Sequence, residues 1–337
     1  MLDFVNKSLT LQGEVKFRVV SLFSGCGGSS LGYIWAGGKV LAAVEWDENA
    51  VATYRLNFPD TPVLHRDIKT VTVEELLALT HLVPGELDIL DGSPPCQGFS
   101  TAGKRQIDDP RNSLFQEYVR LLRGLKPKCF VMENVSGMVK GNMKHVFAIA
   151  MRELKASGYR VKCQLMNAMY FGVPQSRERV IFIGVRNDLN VEPTYPLVQS
   201  KPIGVGKALN GCPLSPSRHI SHRASMLWKH IPIGKTGTAV SGPSKDFSLA
   251  KLNPLKPSPT FRKGQTAGNG IMHWNEPRYV TMAEMARIGS FPDAFQWLSP
   301  IDAVARIGNS VPPMFMYHLA SHIHIHILQR IGEVAHV

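Results

Sequence analysis

Alternation is the feature that most constrains this chain. Between residues 17 and 185, short apolar runs are separated by longer stretches of helical character. Phe17-Arg-Val-Val-Ser-Leu-Phe leads into a glycine-rich turn. Val40-Leu-Ala-Ala-Val-Glu, Leu87-Asp-Ile-Leu-Asp, Lys128-Cys-Phe-Val-Met-Glu and Arg179-Val-Ile-Phe-Ile-Gly-Val follow it in order. Residues 48–57, 113–125 and 143–157 are the helical candidates between them. Strands alternating with helices predict an α/β fold with a mainly parallel, doubly wound sheet. In such sheets ligands bind beyond the carboxyl ends of the strands, so the residues that end each run are the first candidates for chemistry.

The rest of the chain has another character. Residues 190–275 hold eleven Lys and Arg against two acids, Glu192 and Asp246, an excess of nine out of a formal charge of +12 for all 337 residues. The stretch is rich in Pro, Gly and Ser, and its periodicity is weak. It reads as a loop-rich insert or small domain with a basic face. Trp228, Phe247, Phe261 and Trp274 interleave with the charges, as on many nucleic-acid surfaces; a solvated linker is the plain alternative. The expected division is one lobe of residues 1–189 with 301–337 and a smaller lobe of residues 190–300. No apolar run reaches the roughly 18 residues of a membrane-spanning helix, and no signal peptide is expected. Five cysteines at irregular positions suit a reducing cytosol better than a disulfide framework. His318, His322 and His326 share a helix face but lack a supporting cluster of Cys, Asp or Glu, so they are read as packing and no metal site is expected.

Two groups of strand-end residues stand out. After the first strand comes Phe23-Ser24-Gly25-Cys26-Gly27-Gly28, whose glycines allow a sharp turn and close approach of a ligand. The spacing is not GxGxxG, which disfavours a pyrophosphate-binding dinucleotide site. Glu45 ends the second strand and is placed to bind ribose hydroxyls. Trp46 offers a ring for an adenine, and Asp67-Ile68 follows a third strand. An ordinary strand-to-helix turn with surface acids would look the same. On the other side, the fourth strand ends in Gly92-Ser93-Pro94-Pro95-Cys96-Gln97. Two prolines stiffen that loop, which makes Cys96 a nucleophile candidate, whereas Cys129 and Cys163 are read as core. Glu133 ends the fifth strand and reaches the same cleft. Gln175, Arg177 and Arg179 alternate before the last run, so an extended chain projects them from one side; a solvated basic strand is the alternative.

Taken in order, these blocks resemble the cytosine-5 DNA methyltransferase family over nearly the whole chain. Phe23 to Gly32 is similar to the family's cofactor glycine loop, and Glu45-Trp46 with Asp67-Ile68 to its adenosine contacts. Pro94-Pro95-Cys96-Gln97 is similar to its nucleophile loop, and Arg111 to Phe115, with Leu114, to the block behind it. Glu133-Asn134-Val135 resembles its catalytic acid block, and Gln175, Arg177 and Arg179 its QxRxR strand. Arg278 to Pro292 and Gly308-Asn309-Ser310 to Pro313 resemble its closing blocks. Two positions depart from the pattern. Ser21 stands where the family usually has Asp, and Arg66-Asp67-Ile68 stands for Gly-Asp-Ile. Neither removes a predicted catalytic group.

The resemblance implies a Rossmann-like class I methyltransferase domain with a target-recognition domain in residues 190–300. It implies S-adenosylmethionine as methyl donor and double-stranded DNA as partner, with no membrane. Cys96 is then the nucleophile that adds to cytosine carbon 6, and protonated Glu133 bonds ring nitrogen 3. Arg177 and Arg179 serve the ring carbonyl, and Pro95 and Gln97 complete the loop. Phe23, Ser24, Gly25, Gly27, Gly28, Glu45, Trp46, Asp67, Ile68, Ser93, Pro94, Leu114, Asn309 and Ser310 are the implied cofactor contacts. The base must leave the duplex to react. A monomeric, cytoplasmic, nucleoid-associated modification methylase of bacterial or phage type is the expected setting, with a cognate restriction endonuclease as a functional partner. Three rival readings are disfavoured by the residues themselves. A tRNA cytosine-5 methyltransferase is disfavoured because Cys212 is followed by Pro-Leu and not by the Phe-Thr of that branch. A Rossmann oxidoreductase is disfavoured by the glycine spacing and the Pro-Pro-Cys loop. A non-catalytic DNA-binding relative would have no need of Cys96, Glu133 and Arg177.

Overall fold

The computed structural model describes residues 2–95, 112–139, 144–216, 220–242, 246, 248–263 and 270–334. In chain order the first half runs β1 (Phe17–Leu22), α1 (Gly28–Trp35), β2 (Gly38–Glu45), α2 (Glu48–Asn57), β3 (Val63–His65), α3 (Val73–Thr80), β4 (Ile89–Gly92), α4 (Asn112–Leu125), β5 (Cys129–Val135), α5 (Lys144–Ala156), β6 (Tyr159–Asn167) and β7 (Glu178–Arg186). The second half runs α6 (Val205–Leu209), α7 (His222–His230), α8 (Thr238–Ser241), β8 (Ala250–Lys251), β9 (Ile271–Met272), α9 (Met282–Ile288), α10 (Pro300–Asn309), α11 (Pro313–Ile323), a π-helical turn (His324–Leu328) and α12 (Gln329–Val334).

The first seven strands form one sheet in the order β3-β2-β1-β4-β5-β7-β6. All neighbours are parallel except β7, which runs antiparallel to both β5 and β6. This is the α/β, mainly parallel, Rossmann-like architecture expected. Strands covered on both faces read as continuous apolar runs, and β4 is buried at every position and β5 at all but its last. β6 escaped the sequence reading for the complementary reason. It lies at a sheet edge with mixed exposure, and its polar residues give no apolar run. The core packs Val20, Leu22, Val44, Leu90, Phe130 and Phe182 against Phe115, Tyr118 and Leu122 of α4 and Leu154 of α5. Helix starts follow their caps: Asp47 accepts from Ala50 N at 3.0 Å and Thr72 from Glu75 N at 3.1 Å.

The chain separates into two compact units. The sheet unit comprises residues 10–167, 178–197 and 316–337, and the small unit residues 1–9, 168–177 and 198–315. These boundaries differ from the 189/190 and 300/301 divisions read from the sequence. The difference has a packing cause. α10 packs on α9, and Arg177 bonds to Phe261 and Gly308, so residues 168–177 and 301–315 fold with the segment between them. The small unit has little regular structure. It is held by a compact cluster of Ala224, Ile231, Leu249, Met272 and Tyr279 and by side-chain bonds to backbone. Trp228 Nε1 donates to His273 O at 2.8 Å, and Lys251 Nζ sits 3.9 Å over the Trp228 ring. Thr281 and Glu284 close a capping box on α9. Phe261 is buried, and Trp228 and Trp274 are half-buried. Phe261 is interior and Trp228 packs on the small unit's core, while Trp274 stays half-exposed with its ring stacked on His273; Phe247 lies outside the described residues. Among the basic residues, Lys201, Lys207, Lys229, Lys235, Lys256 and Lys263 are exposed.

The histidine stripe of the C-terminal helices is broken by the π-helical turn. His322 lies 2.9 Å from Thr194 Oγ1, and its ring is 4.5 Å from that of His326. Among the described residues no three His, Cys, Asp or Glu side chains cluster as metal ligands, and no helix is long and apolar enough to cross a membrane.

Candidate functional site

In the sheet unit, two sets of strand-end residues flank the place where β1 and β4 lie side by side and the winding of the sheet reverses. The first set begins where β1 ends. Within six residues the chain turns from strand to helix, and Phe23, Gly25 and Gly27 take φ values of 55°, 57° and 94°. That left-handed region is costly for residues with a side chain. At Gly27 there is a second constraint, since a Cβ would stand 2.2 Å from the Phe58 ring. Glu45 pins the turn. Its Oε2 accepts from Gly25 N at 2.8 Å, and its Oε1 accepts from Trp46 N and Asp47 N, each at 3.0 Å. Trp46 itself is 73% exposed. Asp67 accepts from Lys69 N at 3.0 Å and begins a single helical turn that buries Ile68. Among the described residues, Ser24 Oγ is buried without a hydrogen-bond partner.

The second set begins at β4. Ser93 is half-buried, Pro94 buried and Pro95 exposed; Cys96 and Gln97 lie outside the described residues. Asn134 Nδ2 donates to Pro94 O at 3.0 Å while its Oδ1 accepts from Val135 N at 2.9 Å. The end of β5 therefore holds the start of the Pro-Pro-Cys loop. Glu133, one residue earlier, is buried. Its Oε1 lies 2.5 Å from Nε of Arg179 on β7, and both side chains are about nine-tenths buried. The register explains the pair. Glu133 faces Ile181 and Val135 faces Arg179 across the antiparallel ladder, so the two charged residues are diagonal neighbours on one face. Leu114, in the first turn of α4, packs against the sheet-unit core.

The QxRxR residues fall in different units. Arg177 belongs to the small unit and Arg179 to the sheet unit. Arg177 is 1% exposed, and its Nη1 and Nη2 donate to Phe261 O at 3.2 Å and Gly308 O at 3.0 Å. Gln175 is also buried, and its residue bridges to Ser258. Asn309 is exposed at the end of α10, and Ser310 Oγ donates to Arg306 O at 2.9 Å. Both belong to the small unit.

Burial pushes three of the other thiols up: Cys163 to about 12, Cys212 to about 11, and Cys129 higher still. A thiol held that far from ionisation is a poor nucleophile. Two groups escaped the sequence reading. Asn134 was seen as part of a block, without its bond to Pro94. Asp91 was overlooked altogether, although an acid inside an otherwise apolar strand was a visible signal. It is 3% exposed, and burial pushes its carboxyl up to about 7 against the opposing pull of the Ser21 and Tyr33 hydroxyls.

These strand ends, with an acid–arginine pair and a proline-stiffened loop on a class I sheet, define a group-transfer enzyme. The chain belongs to the C-5 cytosine-specific DNA methylase family, whose model matches residues 17–324. It is a DNA cytosine-5 methyltransferase. The type II methyltransferase M1.HphI of Haemophilus parahaemolyticus is 34% identical over 326 residues, covering 89% of this chain and 85% of that protein. The type II methyltransferase M.AquIA of Picosynechococcus is 40% identical over 242 residues, covering 68% of this chain and 96% of that protein. Among solved structures, a prophage-encoded protein of E. coli described as a DNA modification methyltransferase superposes with a TM-score of 0.77 at 25% identity. The match covers 93% of this chain and 99% of that one.

Proposed function

We propose that this enzyme transfers a methyl group from S-adenosylmethionine to carbon 5 of a flipped-out cytosine in a short double-stranded DNA target, through a covalent Cys96 adduct at carbon 6. The observation that carries the reading is the buried Glu133–Arg179 pair beside the Pro94 carbonyl, which Asn134 fixes at the entrance to the Cys96 loop.

The cofactor side supports the donor. A buried hydroxyl without a partner asks for one, and Ser24 Oγ lies in a glycine turn that leads from strand to helix. The exposed Trp46 ring fits an adenine, and Glu45 and Asp67 end neighbouring strands on the same side of the sheet. Phe23, Ser24, Gly25, Gly27, Gly28, Glu45, Trp46, Asp67, Ile68, Ser93, Pro94 and Leu114 would hold the group, and the family resemblance adds Asn309 and Ser310. When bound it supplies an electrophilic methyl group on a sulfonium.

The residues of the chain do the rest. Cytosine carbon 5 is a poor nucleophile until the Cys96 thiolate bonds to carbon 6 and makes the ring enamine-like. Negative charge then builds on the ring. Glu133, ion-paired with Arg179 in the free enzyme, takes a proton from solvent as the base enters and shares it with nitrogen 3, while Arg179 turns to the ring carbonyl. Arg177 acts through the small unit by bracing the backbone at Phe261 and Gly308. Once carbon 5 carries the methyl group, loss of its proton and elimination of the thiolate restore the aromatic ring and free Cys96. The basic residues of 190–300 meet DNA phosphates, and a few of that segment's side chains read base edges. The enzyme is expected to act as a monomer. A restriction endonuclease with the same target is its functional partner, in keeping with relatives named type II methyltransferases.

The test is methylation of a random-sequence duplex library with S-adenosylmethionine, mapped by deamination sequencing, beside a Cys96→Ser variant. Methylation at one short motif, absent from the variant, is expected. Methylation of transfer RNA and not of the library would transfer the reading to RNA, and a fully active Cys96→Ser would remove the covalent step.

A further inference from the structure

Five carboxylates are buried among the described residues: Glu45, Asp88, Asp91, Glu133 and Glu284. Burying a carboxylate costs several kcal/mol unless it is paired, and four of the five have strong partners. Glu45 takes three backbone N–H groups. Asp88 holds Arg18 and Lys128, Glu133 holds Arg179, and Glu284 holds Arg278. Asp91 receives hydroxyls alone: Ser21 Oγ on Oδ2 and Tyr33 OH on Oδ1, each at 3.1 Å, with Ser29 nearby. No Lys, Arg or His pairs with it among the described residues.

The position of this carboxyl gives it meaning. Asp91 lies opposite Ser21 in the parallel β1–β4 ladder. Ser21 is the second-last residue of β1, and Ser29 and Tyr33 belong to α1. Between them runs the glycine turn, so Asp91 lies in its floor. The groups that face it from packed elements leave it without a counter-charge. Tyr33 of α1, Tyr54 of α2, Tyr118 of α4 and Cys129 of β5 are all raised by burial and stay neutral, and Glu133 of β5 carries the same sign as Asp91.

We propose that Asp91 is the buried counter-charge for a cationic ligand in the glycine turn, and that it makes the pocket prefer the positively charged sulfonium donor over the uncharged thioether left after methyl transfer. The inference rests on the donor reading above. Binding of the cation favours the ionised carboxyl, so a proton leaves Asp91 for solvent as the donor enters. When the methyl group has gone, the positive charge has gone with it, Asp91 takes a proton back, and the product is held less tightly. Asp91 is a positioning residue in this account, since it acts through the field in the pocket and takes no part in bond making.

The full-length protein is titrated calorimetrically with S-adenosylmethionine and with S-adenosylhomocysteine between pH 6 and pH 8. The two ligands share their amino group, carboxylate and adenosine, so the ratio of their affinities isolates the sulfonium charge. A carboxyl with its midpoint near 7 is about one-tenth ionised at pH 6 and nine-tenths at pH 8. The ratio is therefore expected to rise about tenfold across that range and to be flat in Asp91→Asn. Retained binding of S-adenosylhomocysteine shows that the variant is folded. A pH-dependent ratio that survives in Asp91→Asn overturns the proposal. Should that variant fail to fold, carboxyl carbon-13 resonances of the unaltered protein decide. The Asp91 midpoint is expected to fall by about two units or more with S-adenosylmethionine and to hold with S-adenosylhomocysteine; an unmoved midpoint overturns the proposal. If neither ligand binds the unaltered protein, the donor reading itself fails, which is a different result from a missing preference between two bound ligands.

Discussion

Arg177→Ala separates two roles that one arginine could play. The sequence places this residue on the cytosine carbonyl, whereas the structure has its guanidinium bonded to Phe261 O and Gly308 O inside the small unit at 1% exposure. Hydrogen bonds from a charged donor contribute about 1.5–3 kcal/mol each, so losing both costs roughly 3–6 kcal/mol before any cavity term. Typical domain stability is about 5–15 kcal/mol. With a urea dependence of about 2 kcal/mol per molar, the small-unit transition is expected to fall by about 2 M, followed by tryptophan fluorescence, since Trp228, Trp274 and Trp297 lie in that unit. Arg177→Lys should recover little, because an ammonium cannot replace a fork that reaches two carbonyls. A midpoint unchanged within about 0.2 M, with kcat down a hundredfold or more, would refute the bracing role and return Arg177 to the substrate.

Four further outcomes follow from the same geometry. Arg179→Ala is expected to lower kcat by about 10²–10³, measured by single-turnover methyl transfer; a change confined to KM would count against its place at the reacting ring. Gly27→Ala puts a Cβ 2.2 Å from Phe58 at a φ of 94°, and calorimetry should show S-adenosylmethionine binding weakened at least tenfold, with a destabilisation of about 1–3 kcal/mol. Burial, reinforced by the charge of His326, lowers His322 to about 4. A depressed histidine contributes stability that is present above its unfolded value near 6.5 and lost as pH falls through 4, so thermal scans between pH 7 and pH 4 should fall more steeply for the wild type than for His322→Gln. Finally, the basic excess of residues 190–275 predicts DNA affinity that drops steeply with salt, and fluorescence anisotropy between 50 and 200 mM NaCl tests it; a flat response would exclude phosphate contacts as the main source of affinity.

The sheet was readable because β1, β2, β4, β5 and β7 are apolar runs; the first four stop beside candidate site residues, and β7 begins at one. β6 was not, since an edge strand needs no apolar face on its solvent side, and Gln164 and Lys162 hide it. On the site, type and position made Glu133 and Arg179 candidates, and the family resemblance supplied their roles; the structure brings the two side chains together. Arg177 shows the limit of that method: it alternates with Arg179 in sequence, yet the chain passes from one unit to the other between them, which no periodicity reports. Asp91 was missed for a related reason. Its environment is made by hydroxyls 58 and 70 residues away in sequence, and only the ladder between β1 and β4 brings them together. Phe261 and Trp228 erred the other way, because aromatic residues among charges read as surface while a loop-rich unit needs them to fill its small interior.

Arg177 grips main-chain oxygens, and every amino acid supplies those. These two bonds inside the small unit are thus indifferent to the side chains carried along residues 198–315, provided the backbone passes Phe261 and Gly308 at the same height. Gly308 enforces that height, since a Cβ there would stand 2.7 Å from the backbone of Arg262 and Lys263. Substitution of side chains between Phe261 and Gly308 therefore leaves both of these bonds standing, so this stretch can change its surface without losing the grip of Arg177 on its backbone.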